Sequence, residues 1–176
     1  MKLEEYFQRH IFEPLGIKEL SFYLNDSTRP RRVPQWYRIA DGSLKPADHV
    51  FPDPTRVELG GGGLFGTAKE YVRVLQSLLQ DNCPLLSDQT RNMMFSPQLD
   101  SEKYAKFAFT NTPANIINTS LGSVPRSTKV SWGLSGVLTL EDIPNARKSH
   151  SLHWTGLPNC FWVRLTLLDN KISFFC

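Results

Sequence analysis

The chain has 176 residues, 40% hydrophobic, 21% charged and 11% aromatic, with a formal net charge of +3. That is the make-up of one folded domain with a hydrophobic core, which excludes a disordered chain. So small a positive charge gives no ground for a polyanionic partner. The first ten residues, MKLEEYFQRH, put two acids where a secretory leader would carry its apolar run, and no apolar stretch approaches the roughly 20 residues that cross a bilayer. Cys83, Cys160 and Cys176 are the three cysteines. Without CxxC spacing they suggest reduced thiols in a cytoplasmic protein, with neither a disulfide framework nor a zinc site.

In chain order, Leu3, Phe7 and Ile11 recur at helical spacing, with Tyr6 widening the stripe, and Pro14 and Gly16 stop it. Residues 26–58 carry Pro30, Pro34, Pro46, Pro52 and Pro54 and little periodicity, which predicts a long irregular loop. Within it "RPRRVPQWYR" interleaves bases with aromatics. Nucleic-acid binding is one reading. A solvated loop is the preferred one, because no other basic face exists to match it. "TAKE" at Thr67–Glu70 is a capping box, and Val72, Leu75, Leu78 and Leu79 give the helix that follows an apolar stripe, ended by Asp81, Asn82 and Pro84. A shorter helix is expected to start after Ser87 and run through Met94. Residues 99–128 carry little pattern.

From Lys129 the character changes. "VSWGLSGVLTL" is strand-like and punctuated by glycine, "EDIPNARK" is turn material, and "SLHWTG", "FWVRLTLL" and "ISFFC" read as further strands. Helices first and consecutive strands later predict an α+β fold with an antiparallel sheet.

Few motifs carry chemistry by themselves. "LGGGGLFGTAKE" contains GxGxxG at Gly61, Gly63 and Gly66, but the second strand of a dinucleotide-binding unit does not follow it. A tight turn that lets the backbone pass close to another group is the plainer reading. His150 and His153 have the wrong spacing for two ligands on one face of a strand, and no metal or other cofactor is expected. "GLSG" lacks the spacing of a nucleophile elbow, leaving Ser135 an ordinary strand residue. "SLHWTGLPNCFW", by contrast, crowds a histidine, two tryptophans, a glycine and a proline into residues 151–162, more special residues than a core strand needs.

Four segments in order, "LEEYFQRHIFEPLGIKELSFYL", "GGGGLFGTAKEYVRVLQSLL", "SWGLSGVLTLED" and "SLHWTGLPNCFW", resemble the serine β-lactamase-like and penicillin-binding-type family. Within it they are most similar to the fungal esterase and acyltransferase branch, which includes the lovastatin-type acyltransferases. The likeness runs from residue 1 to about 163. It implies a nucleophilic serine in S-x-x-K, a tyrosine that helps move its proton, and a K-T-G-like triplet on a sheet strand beside the acyl group. Trp154-Thr155-Gly156 matches the triplet, so Trp154, Thr155, Gly156 and Trp162 are the expected substrate-binding residues.

No S-x-x-K occurs in the 176 residues. "YLN" at Tyr23–Asn25 fits Y-x-N but follows a segment where the family has a connecting stretch, and is read as coincidence. The resemblance therefore implies the C-terminal half of the fold, with an incomplete sheet, residues 1–176 forming one partial domain, and a divergent tail over 164–176. No catalytic residue is assigned. The implied function is that of a truncated serine hydrolase or acyltransferase of small-molecule esters, in fungal secondary metabolism, inactive alone. A non-catalytic remnant or interaction module is the alternative. Expected partners are a small ester or acyl compound and an upstream half-domain, with neither nucleic acid nor membrane.

Overall fold

A computed structural model describes residues 1–99, 124, 125, 127–156, 161–164 and 172–175, the last two segments by backbone alone. Contacts divide the chain into two compact units, Met1–Val74 and Leu75–Cys176. Helices early in the chain and an antiparallel sheet later give the expected α+β architecture.

Helix α1 covers Leu3–Phe7 and passes directly into a π-helical stretch, Gln8–Phe12. The wide turn is closed by the Glu13 N–H donating to the Gln8 carbonyl at 2.9 Å. One extra residue per turn moves the apolar stripe around the helix. Phe12, outside the predicted stripe, is therefore buried beside Ile17 and Leu20, while Tyr6, predicted to extend it, is exposed. Phe7 keeps its inward place and meets the Phe12 and Phe22 rings at 5.8 and 5.7 Å between centroids. On the same segment Glu4 Oε1 accepts from Gln8 Nε2 and Ser21 Oγ, and Glu4 Oε2 accepts from the Phe22 N–H at 2.8 Å.

Residues 26–58 are more ordered than their prolines suggest. Arg29–Arg31 form a short 3₁₀ turn, and β1 (Gln35–Arg38) pairs with β2 (Leu44–Ala47) in a hairpin that sets Trp36 against Pro46 and Tyr37 against Lys45. Both faces of the hairpin are largely exposed, so the sequence carries no alternation of apolar and polar residues to announce it. Three bases of "RPRRVPQWYR" are engaged internally. Arg29 pairs with Asp53 at 2.8 Å and Arg31 with Glu19 at 2.7 Å, while Arg32 donates to the Phe51 carbonyl and lies over the Phe65 ring.

The glycine run is filled by the chain itself. A methyl group on Gly62 would strike the Phe51 ring, and one on Gly66 would strike Leu20. Glycine at these positions allows close approach of the chain's own side chains, the role a phosphate would play in a dinucleotide site.

Helix α2 (Ala68–Ser77) starts as its capping box requires, the Glu70 N–H donating to Thr67 Oγ1 at 3.3 Å. The Glu70 carboxylate turns to a tertiary partner instead of back to the cap: Oε2 accepts from the Lys18 N–H at 2.9 Å and Oε1 lies 3.5 Å from Arg73. The helix ends earlier than its leucines suggest, tightening after Ser77 through the Leu79 N–H to Gln76 carbonyl bond.

Helix α3 (Asp88–Met94) has Ser87 as its N-cap, Oγ accepting from the Thr90 N–H at 3.2 Å. Among the described residues five strands then form one sheet in chain order: β3 (Val130–Trp132), β4 (Val137–Thr139), β5 (Leu152–Thr155), β6 (Phe161–Arg164) and β7 (Ile172–Phe175). Every neighbouring pair is antiparallel. One apolar cluster joins Val124, Val137 and Ile143 with Val130 and Trp132; another joins Phe95, Leu138 and Leu152 with Met94 and Leu140. Gly133 is buried with its α-carbon against the Met94 backbone carbonyl, leaving no room for a side chain. Ser135, expected on a strand, sits in the β3–β4 turn with φ of 88°.

Candidate functional site

Among the described strands of the sheet, β5 is the third of five. Its sequence LHWT alternates in and out only in part: Leu152 and His153 are both buried, Trp154 is 39% exposed, and Thr155 is half-buried. On one side Val137 lies opposite His153 and Leu138 opposite Leu152. On the other, Trp154 lies opposite Trp162 and Thr155 opposite Phe161. Three of the four expected site residues, Trp154, Thr155 and Gly156, are thus consecutive at the C-terminal end of β5. The backbone of the fourth, Trp162, is the register partner of the first; its side chain, and residues 157–160 of the same motif, lie outside the described residues.

Two polar atoms on this strand are buried and have no hydrogen-bond partner among the described residues, Thr155 Oγ1 and His153 Nε2. They differ in consequence. His153 precedes the triplet and is 2% exposed, opposite Val137 in the packed interior. Burial, with the Arg147 charge as a lesser cause, pushes its pKa down to about 3, so it is neutral at ordinary pH and no proton donor. Thr155 ends the strand just before exposed Gly156, and its hydroxyl can both donate and accept. A buried hydroxyl left unpaired costs about 1–3 kcal/mol, which a bound polar group would recover.

Sequence reasoning did not single out Trp132. Its ring centroid lies 4.9 Å from that of Trp154, with the planes tilted by 55°. The pair joins β3 to β5 across the intervening strand. The glycines of "SWGLSG" were the available signal, since Gly133 and Gly136 close the β3–β4 turn through a 2.9 Å N–H to carbonyl bond beside Trp132.

The remaining candidates do not converge on this strand. His150 has φ of 61° and donates its backbone N–H to the Thr139 carbonyl. No group of three or more potential metal-ligating side chains occurs among the described residues. Tyr23 donates its hydroxyl to Glu58 Oε1 at 2.8 Å, a bond that raises its pKa, whereas a proton-abstracting tyrosine needs the reverse. The Asn25 side chain accepts from the Ser27 and Thr28 N–H groups of its own turn. Among the described residues no helix is long and apolar enough to cross a membrane.

Comparison with known proteins identifies the family of the chain. The Beta-lactamase family pattern matches residues 1–158. The chain is 36% identical over 170 residues to the monacolin J acid methylbutanoyltransferase of Aspergillus terreus, covering 92% of this chain and 40% of that protein. It is 32% identical over 175 residues to the lovastatin esterase of Penicillium rubens, with coverage of 91% and 41%. The unliganded structure of simvastatin synthase (LovD) from Aspergillus terreus superposes with a TM-score of 0.86 at 33% identity, over 98% of this chain and 43% of that one. The chain thus spans about 40% of the length of the curated relatives it matches. By the family match over most of its length, this chain belongs to the beta-lactamase family.

Proposed function

We propose that the chain carries one wall of the acyl pocket of a β-lactamase-related serine hydrolase or acyltransferase, acting on esters of small molecules in fungal secondary metabolism. Trp154, Thr155 and Gly156 hold the acyl group, with Trp162 opposite, and residues 1–176 are one partial domain. The observation that carries the reading is the Thr155 hydroxyl, buried at the end of β5 without a partner among the described residues, next in sequence to an exposed tryptophan. The substrate class follows the relatives, one named as a methylbutanoyltransferase and another as an esterase. The half-buried free thiol of Cys83 supports a cytoplasmic setting.

With no S-x-x-K in these residues, the nucleophile comes from another polypeptide segment, an upstream half-domain. A fluorophosphonate probe therefore leaves the purified chain unlabelled, and stoichiometric labelling refutes the proposal. Turnover of p-nitrophenyl esters is expected only when an S-x-x-K-bearing half from a relative is added. That turnover falls with Thr155→Val; an unchanged rate in this variant refutes the assignment of Thr155.

A second reading, a non-catalytic interaction module, is favoured by one observation: Trp36, Tyr37 and Leu44 of the β1–β2 hairpin are 52%, 64% and 53% exposed. Under it, no added half restores turnover.

A further inference from the structure

We infer that Trp132 is a positioning residue that fixes the Trp154 indole and thereby sets which acyl chain lengths the site accepts. The inference rests on the acyl-pocket reading of Trp154. Its observation is the 4.9 Å ring contact between a tryptophan on β3 and one on β5.

The two partners are held very differently. Trp132 packs on the buried cluster of Val124, Val137 and Ile143. Its backbone has no slack, because Gly133 next to it abuts the Met94 carbonyl and is bonded to Gly136. Trp154 is 39% exposed near the strand end. An indole there would otherwise exchange between rotamers, since side-chain torsions at an open surface have several staggered wells. Contact with an immobile ring removes that freedom at one face and leaves the other face of Trp154 as a fixed wall. The orientation of that wall then depends on the tilt that Trp132 imposes.

The chemistry of the wall selects the ligand class. The ion pairs of this unit among the described residues are Arg91–Asp88 on α3 and Lys148–Asp142 in the β4–β5 connection, away from the indole pair in sequence and on other elements. Two uncharged indoles in contact suit an aliphatic acyl chain and do not suit a charged acyl group.

The test uses the full chain with ethyl butanoate and ethyl octanoate as probes. Dissociation constants are read from the indole Nε1–H signals by NMR. An aromatic pair of this kind corresponds to about a two- to tenfold change in affinity. Trp132→Ala should weaken the preferred ester by that factor and bring the ratio of the two constants toward one. Trp132→Phe should move the ratio part of the way. A residue that only supports the fold would weaken both esters alike, and an unchanged ratio in Trp132→Ala overturns the inference. Should Trp132→Ala fail to fold, a wild-type ratio in Trp132→Phe overturns it instead. Trp154→Ala separates the two ideas. If it loses binding while the Trp132 variants keep the ratio, this inference alone falls. If the wild type binds neither ester, or Trp154→Ala binds as wild type does, the pocket reading falls and takes this inference with it.

Discussion

Replacing His153 by leucine should flatten the acid limb of the stability curve. The folded chain holds this imidazole neutral, its pKa pushed from 6.5 down to about 3 mainly by burial and secondarily by the Arg147 charge. Once unfolded, it regains its ordinary value and binds a proton below about pH 6.5. The unfolded state therefore binds more protons, and stability must fall as pH falls. The contribution is complete above pH 6.5, is lost progressively below it, and is exhausted near the folded value of about 3. At about pH 4.5 the loss from this one residue comes to about 3 kcal/mol, a large part of the total for a domain of this size.

The lowered carboxylates are common to both proteins. Glu19 is held low by Arg31, Glu58 by the Glu4 N–H and Tyr23, and Asp142 by the Ser149 N–H and Lys148, so what they contribute starts to fall near their ordinary values of 4.5 and 3.8 and cancels between wild type and variant. Urea unfolding of wild type and His153→Leu, followed by circular dichroism at several pH values, gives the difference directly. The wild type should lose stability relative to the variant by up to about 1.4 kcal/mol per pH unit below pH 6. Parallel curves for the two proteins from pH 7 to pH 4.5 would refute the reasoning.

Two further substitutions test the packing of the sheet unit. Gly133→Ala places a methyl group against the Met94 backbone carbonyl, which cannot swing aside; a loss of about 1–3 kcal/mol in urea unfolding is expected, and an unchanged midpoint would contradict the close approach. Ser87→Ala removes the acceptor for the Thr90 N–H at the start of α3. It should cost about 1 kcal/mol, recovered by Ser87→Asp, and a silent Ser87→Ala would show that this cap contributes nothing.

Local signals were the legible ones. Thr67 and Ser87 are side chains that bond their own helix three residues on, so a short window of sequence contains both partners. The strands around "SWGLSG", "SLHWTG", "FWVR" and "ISFF" were also readable, since β-branched and aromatic runs broken by glycine have few other uses. The π-helical turn was not, because Leu3, Phe7 and Ile11 fit an α-helix equally well and only tertiary packing decides that Phe12 turns inward. Nor was the hairpin at Gln35–Ala47, whose side chains meet solvent on both faces. At the proposed site, Trp154-Thr155-Gly156 is a local string that a short window contains whole. Its ring neighbour, Trp132, is separated from Trp154 by a turn, a strand and the β4–β5 connection, and no local rule connects them.

The π-helical turn at Gln8–Phe12 makes the first segment sensitive to length in a way that its composition is not. Ahead of the turn, Glu4 must face Ser21 and Phe22; behind it, Phe12 must face Ile17 and Leu20. A uniform α-helix turns about 100° per residue and would serve only one of these demands at a time. The extra residue acts as a phase shifter between an anchoring end and a packing end. Deletion of one residue between Phe7 and Phe12 therefore lets the wide turn close into an α-helical one with both ends still facing their partners, whereas deletion of one residue elsewhere in the segment, or insertion of one, rotates one end away.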